Sequence, residues 1–305
     1  MHTITPAQVK QWLAPRPLAA HKGNFGRVLV VAGSRSMCGA GYLCAKSALM
    51  SGAGLVFWAL PASMQPSFAA SLPEAITLAL PEDENGEIDA NAWELFPDLC
   101  KRYKPSLVVA GPGMGSSALL PSLLAGCALP LLVDADGLNA LAGQTAWHTK
   151  WPKERPAIFT PHAQEMARLL GEPIATDEEA RLYQVEKLVE LTGAVAVFKG
   201  AGSLVSAPSQ DGIVTLQNTT GTVALAKGGS GDVLSGLIAG LWAQLGTRAG
   251  FSVRTAYQAT ACAVYIHGLA GELAAQSKST YSVLASDTLA CIAQAYLHVL
   301  ACPDQ

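Results

Sequence analysis

Apolar residues in this chain fall into two patterns. Short runs at residues 27–32, 55–60, 107–110, 130–134, 157–159, 194–198 and 203–205 are apolar throughout and rich in Val, Leu, Ile and Phe. Uninterrupted runs of this kind suit strands covered on both faces, because neither side of the pleat needs polar residues. Longer stretches between them, at 39–52, 118–127, 163–170, 176–192, 232–245, 254–276 and 284–300, carry helix-compatible spacing. Thr176-Asp177-Glu178-Glu179 adds a helix entry with acids near the positive end of the dipole. Strand–helix alternation predicts an α/β sandwich, a mostly parallel central sheet with helices on both faces. Residues 81–91 are acidic and contain Gly86, and read as an exposed loop or hairpin. No linker, repeat or low-complexity tract divides the chain, so residues 1–305 are expected to form one domain.

In such a sheet ligands bind beyond the carboxyl ends of the strands. Polar, Gly-rich segments follow the apolar runs at Gly33-Ser34, Gly111-Pro112-Gly113-Met114-Gly115, Asp134-Ala135-Asp136, Thr160-Pro161-His162 and Lys199-Gly200. Five polar strand ends on one side of the sheet would form a single crevice.

Composition narrows the choice. Half of the residues are hydrophobic and only 14% are charged, against about 25% in a typical soluble domain. The deficit predicts a large core and surface hidden in an oligomer, with 39–52 and 254–276 as candidate contact or core helices. A net charge of −3 gives no electrostatic case for nucleic acid. Seven cysteines lack a Cys-x-x-Cys pair, which favours reduced thiols in a cytoplasmic protein over disulfides or a zinc site. Residues 47–73 carry no charge, but Gly52, Gly54, Pro61 and Pro66 interrupt them. A helix followed by a buried strand explains this stretch better than a membrane span. The polar first eleven residues show no signal-peptide core.

The sharpest chemical signal is Ala226-Lys227-Gly228-Gly229-Ser230-Gly231-Asp232, which leads into an apolar helical run. Glycines let a backbone approach a phosphate, and a helix N-terminus offers unpaired N–H groups to it. Asp232 would then stand where a carboxylate can take a proton from an attacking hydroxyl, an arrangement suited to phosphoryl transfer. An ordinary Gly-rich turn has the same composition. The stretch matches neither a Walker loop nor a dinucleotide fingerprint.

Other groups carry weaker signals. Lys199-Gly200-Ala201-Gly202-Ser203 offers a cation, two glycines and a hydroxyl to nucleotide phosphates or ribose, or is a β-turn with an exposed lysine. His162 and Glu165, three apart, share a helix face and suit a substrate or magnesium-water role. Asp134 and Asp136 would point the same way in an extended segment and hold Mg²⁺ through water, or else cap the turn before 138–141. His21-Lys22-Gly23 has no role readable by itself.

Taken in order, these motifs resemble one family. His21-Lys22-Gly23, Val31-Ala32-Gly33-Ser34, Gly39-Ala40-Gly41, Gly52-Ala53-Gly54-Leu55, Gly111-Pro112-Gly113-Met114-Gly115, Asp134-Ala135-Asp136, Thr160-Pro161-His162 with Glu165, Lys199-Gly200 and the 227–232 loop are similar to those of ADP/ATP-dependent NAD(P)H-hydrate dehydratases of the ribokinase-like superfamily. The glycine–aspartate loop alone points to the superfamily. His-Lys-Gly together with Thr-Pro-His and its downstream Glu narrows it to the family. The resemblance implies a three-layer ribokinase-like sandwich and a substrate, NADH or NADPH hydrate, whose C6 hydroxyl is removed. It implies ADP or ATP as phosphoryl donor, with Mg²⁺, and a homotetramer. It implies that Ala40, Gly113, His162 and Asp232 contact the hydrate, and that Lys199, Gly200, Ala201, Gly202, Ser203, Gly228, Gly229, Ser230 and Gly231 hold the nucleotide. Asp232 is then the base. The metal ligands stay unassigned.

Departures from the family pattern are Gly41 in place of Ala, and Ala163-Gln164 in place of Pro-Gly. Some relatives carry a fused epimerase domain, for which the residues before His21 are too few, so the epimerase is expected to be a separate chain. Two rival readings keep the same loop: a small-molecule kinase for a thiazole, hydroxymethylpyrimidine or pyridoxal alcohol, and a non-catalytic nucleotide-binding protein.

Overall fold

A computed structural model describes residues 1–303. Ten strands form one sheet: β1 His2–Thr3, β2 Arg27–Val31, β3 Leu55–Pro61, β4 Ile76–Leu80, β5 Leu107–Ala110, β6 Leu131–Val133, β7 Ala157–Phe159, β8 Val195–Phe198, β9 Leu204–Ser209 and β10 Gly212–Gln217. Their spatial order is β1-β10-β9-β8-β7-β6-β5-β2-β3-β4. Neighbours from β4 through to β8 run parallel, and β9 is antiparallel to both β8 and β10. This is the mostly parallel, helix-flanked sheet that the apolar runs imply.

Each central strand feeds two cores. Val28, Val30, Leu107, Val109 and Leu132 face one apolar cluster, while Leu29, Val31, Val108, Ala110, Leu131 and Val133 face the other. Uninterrupted apolar composition follows directly from burial on both faces. The strands that apolar runs did not reveal, β1, β4 and β10, lie at or next to the sheet edges. Ile76 and Ala79 of β4 are exposed, so no continuous run marks it. Several short helices also escaped the reading: Pro6–Trp12, Gln65–Ser71, Ala92–Tyr103, Asp136–Ala142 and Trp147–Lys150. Three of these contain proline, which reads as a breaker but is accepted in a first helical turn at Pro6 and Pro66. The 284–300 segment divides at Cys291 into Ala285–Ala290 and Ile292–Leu300.

Low charge has a structural cause. Helices Cys38–Met50 and Val253–Lys278 both pack against helix Ser230–Ala249, and Cys44, Ala45, Ala48, Ala256, Ala259, Cys262 and Ala263 are buried. The two stretches considered as oligomer contacts are therefore core on these faces. Contact between the helices at 38–50 and 230–249 is unusually close: a Cβ at Gly236 would stand 2.1 Å from Cys44 O, and one at Gly240 1.9 Å from Ser51 Oγ. No helix among the described residues is long and apolar enough to cross a membrane.

Candidate active site

The carboxyl ends of β5, β6, β7 and β8 converge. Gly111, directly after β5, adopts φ +122°, and a Cβ there would lie 1.9 Å from Asp134 O after β6. Only glycine lets these two strand ends approach so closely. Asp134 is 1% exposed and both its oxygens are engaged. Oδ1 pairs with Lys199 Nζ at 2.7 Å, and Oδ2 accepts from Ser235 Oγ at 2.6 Å. Lys199, after β8, also lies 3.7 Å from Glu165 Oε2. It is a half-buried, doubly paired cation, 17% exposed, rather than a lysine on an exposed turn. Burial opposes its charge, but Asp134 and Glu165 outweigh that and hold its pKa above the ordinary value.

His162 caps helix Ala163–Leu170. Its Nδ1 accepts from the amides of Gln164 and Glu165 at 3.1 and 3.3 Å, and Glu165 Oε2 accepts from the His162 amide at 2.8 Å. This reciprocal capping fixes both side chains. With Nδ1 accepting, the ring proton of neutral His162 sits on Nε2, 3.3 Å from Glu165 Oε1. Burial, then Lys199, lowers the His162 pKa; burial raises that of Glu165. Neutral His162 is thereby arranged to donate from Nε2.

The glycine loop ends where helix Ser230–Ala249 begins. Gly229 caps it at φ 90° with no side-chain hydrogen bond; the Ser230 amide donates to Lys227 O at 3.3 Å, and the following first-turn amides of Gly231 and Asp232 keep their capacity for an anion. A Cβ on Gly231 would lie 3.4 Å from Lys199 Nζ and 3.9 Å from Asp134 Oδ2, which places the loop over the buried ion pair. Asp232, in the helix's first turn, has its pKa raised to about 7 by burial and then by the Asp134 charge, with Lys199 acting against both. A carboxyl tuned to neutral pH is the condition that favours general-base catalysis.

Two proposed substrate residues also meet. A Cβ on Gly113 would stand 2.7 Å from Ala40 Cβ, so Ala40 and Gly113 form one small-residue wall. Near it, a cavity of about 410 Å³ is lined by Leu43, Lys227, Gly228, Leu284, Ala285 and Ser286. A larger groove of about 870 Å³ lies at the β1 edge, lined in part by His2, Trp12 and Tyr257, away from these carboxylates.

Two expectations need correction, and one unread motif is placed. Asp134 and Asp136 do not share an extended segment: Ala135, at φ 49° and ψ −116°, turns the chain, and Asp136 opens helix Asp136–Ala142 with Oδ2 on the Gly115 amide at 2.8 Å. The pair consequently does not fit a shared Mg²⁺ site, and no three His, Cys, Asp or Glu side chains converge as ligands among the described residues. Ser203 belongs to the turn and not to a strand; its Oγ bridges the Gly200 amide and carbonyl at 3.2 and 2.8 Å. Finally, His21-Lys22-Gly23 precedes β2 and so stands at the amino end of the parallel strands, opposite the crevice. There it forms a capped 3-10 turn, and a Cβ on Gly54 would meet Lys22 O at 1.8 Å.

The sequence reading missed three contributors. Ser235 holds Asp134. His267 is 8% exposed, with Nε2 3.4 Å from Ser230 Oγ, and burial lowers its pKa to about 4. Arg181 donates to the carbonyls of the 200–203 turn. Each lies far in sequence from its partner; all three fall inside predicted helices, but nothing in the local sequence marks the pairing.

A single mostly parallel sheet with helices on both faces and its polar, glycine-rich loops gathered at the strands' carboxyl ends is a ribokinase-like fold. Escherichia coli phosphofructokinase-2 shares the fold at 13% identity, with TM-score 0.57 over 89% of this chain and 99% of that one. The chain belongs to the NAD(P)H-hydrate dehydratase family, whose model matches residues 28–294. A bifunctional NAD(P)H-hydrate repair enzyme of Moorella thermoacetica is 39% identical over 94% of this chain and 52% of its own length. The chain thus spans about half the length of that relative and of several other curated relatives it matches. The ADP-dependent (S)-NAD(P)H-hydrate dehydratase of Xanthomonas campestris is 33% identical over 94% of this chain and 93% of its own. The Bacillus subtilis ADP/ATP-dependent dehydratase, co-crystallized with ATP/Mg²⁺, superposes with TM-score 0.79 at 27% identity, covering 98% of both chains.

Proposed function

We propose that this protein dehydrates the S epimer of NADH or NADPH hydrate, using ADP or ATP as phosphoryl donor. The observation that carries the reading is Asp232, with its pKa near 7, in the first turn of a helix whose N-terminus no side chain caps. In this reading Asp232 takes the proton of the C6 hydroxyl as that oxygen attacks the terminal phosphoryl group. The amides of residues 228–231 stabilise the charge that moves. The ring-nitrogen lone pair then expels phosphate from C6, a proton leaves C5, and the C5–C6 double bond returns. Products are the dihydronicotinamide cofactor, inorganic phosphate and the shortened nucleotide. His162, Ala40 and Gly113 line the hydrate's side of the crevice; Lys199, Gly200, Ala201, Gly202, Ser203 and the 228–231 loop line the nucleotide's side. Mg²⁺ would arrive on the phosphate oxygens of the nucleotide.

Mixing the protein with NADH hydrate should restore dihydronicotinamide absorbance only when ADP or ATP is present. Faster phosphorylation of a thiazole or pyrimidine alcohol, judged by kcat/KM, would instead support a kinase. Nucleotide binding without turnover of either substrate would support a non-catalytic role.

The chain is further read as one domain, supported by a single sheet that runs from His2 to Gln217, and as a cytoplasmic protein with seven free thiols. A partner epimerase acts beside it; the bifunctional names of relatives about twice the matched length support that reading. The family resemblance supports a homotetramer. Light scattering at micromolar concentration should then give a mass near four times 31.6 kDa; a monomer mass would leave the low charge entirely to core burial.

A further inference from the structure

The turn at residues 200–203 has an internal and an external set of fastenings. Internally, Ser203 Oγ bonds the Gly200 amide and carbonyl. Externally, Arg181, from the first turn of helix Glu178–Thr192, places its guanidinium against the turn's back. Nη1 donates to Ala201 O at 2.8 Å and Nη2 to Gly202 O at 3.3 Å. The guanidinium carbon stands 5.0 Å from the centre of the Phe198 ring, at the end of β8. Gly200, at φ +147°, leaves the space in which a Cβ would come within 3.4 Å of Nη2. From the other side, Gln217 Nε2 would stand 3.2 Å from a Cβ on Gly202, and the same nitrogen donates to Glu178 Oε1 at 3.3 Å, in the same helical turn as Arg181.

A planar trans peptide points its C=O and N–H in opposite directions. Drawing the carbonyls of Ala201 and Gly202 onto Arg181 therefore turns the N–H groups of the same two peptides, those of Gly202 and Ser203, away from it. Without that fastening two glycines give the turn wide conformational freedom, and its carbonyl oxygens could face an incoming anion and repel it. The fork geometry of a guanidinium suits two adjacent carbonyls, which a lysine ammonium cannot span at once.

We propose that Arg181 is a positioning residue of the nucleotide site: it pre-orients the 200–203 turn so that its amides, and not its carbonyls, face the nucleotide's phosphates or ribose. This proposal rests on the reading of that turn as the nucleotide side of the crevice. It concerns pre-organisation rather than contact with the reacting atoms, so it should affect nucleotide affinity and leave chemistry at saturation alone.

The test is ADP affinity by calorimetric titration of the full chain, together with the steady-state parameters, for wild type, Arg181→Met and Arg181→Lys. Met keeps the packing on Phe198 but removes both hydrogen bonds; Lys keeps the charge but not the fork. Arg181→Met should weaken ADP binding and raise the nucleotide KM by about ten-fold, the scale of lost charge-assisted hydrogen bonds. The hydrate KM and the kcat at saturating nucleotide should stay within about two-fold of wild type. Arg181→Lys should remain closer to Met than to wild type. Nucleotide affinity unchanged in Arg181→Met, or full recovery in Arg181→Lys, overturns the proposal. An equal loss in kcat and both KM values, with a lower melting temperature without ligand, also overturns it by showing a general structural role. The two readings fail separately: a wild type that binds ADP but leaves NADH hydrate untouched refutes the dehydratase reading, while the titrations still judge Arg181. A wild type that binds no ADP refutes both.

Discussion

Asp232→Asn should lower kcat by about 10²–10⁴-fold, the usual contribution of a positioned general base, while nucleotide still raises the melting temperature through binding to the folded state. Asn keeps the shape of the side chain and the helix start but cannot take a proton. In the wild type the same carboxyl predicts the pH profile. Asp232 acts ionised and its pKa lies near 7, so kcat/KM should fall about ten-fold per pH unit below that value and level off above it. Stability should run the other way. A carboxyl whose folded pKa exceeds its unfolded one binds its proton more tightly in the native state, so its contribution is full below the unfolded value near 3.8 and fades as pH rises through about 7. Asp232→Asn should therefore stabilise the protein at pH 8, on the order of 1–3 kcal/mol, and have little effect at pH 4. A variant that keeps more than about a tenth of wild-type kcat would remove Asp232 from the base's role.

Lys199→Met should be among the most destabilising single substitutions in the site. It strands Asp134, 1% exposed and bonded at Oδ1 to this lysine alone among the described residues. Removing one partner of a buried pair typically costs about 3–5 kcal/mol, because the remaining charge stays desolvated. Lys199→Met combined with Asp134→Asn should recover most of that stability without recovering activity, since the uncharged Asn needs no cation. Chemical denaturation of the two single variants and the double variant measures this as a coupling energy. A loss below about 1 kcal/mol in Lys199→Met would mean that the pair behaves as a solvent-screened surface bridge, despite its burial.

Much of the site could be read along the chain because its pieces are strand ends. Gly111, Asp134, Thr160 and Lys199 each follow an apolar run, and in a parallel sheet all such ends lie on one side. Motifs at strand ends therefore converge without any knowledge of distances. The sequence could not reveal partnerships between them. Nothing in Lys199-Gly200 distinguishes an exposed turn lysine from one held between Asp134 and Glu165. His162 and Glu165 suggested a shared helix face, but the outcome is a cap, because the chain enters the helix at His162 itself. Asp134 and Asp136 failed as a pair for a local reason, the turn at Ala135, which spacing does not encode.

What the sequence determined by itself is the layered α/β architecture and the ordered set of loops, since continuous apolar runs demand two covered faces and glycine clusters demand turns. Strands at or next to the sheet edges, such as β4 and β10, were invisible at that level, because exposed positions remove the continuous run. Only the tertiary structure decided the protonation chemistry. The shift of Asp232 towards neutral pH comes first from burial and then from Asp134, nearly a hundred residues away in sequence. A pKa depends on surrounding dielectric and charge, and those exist only once the chain has folded.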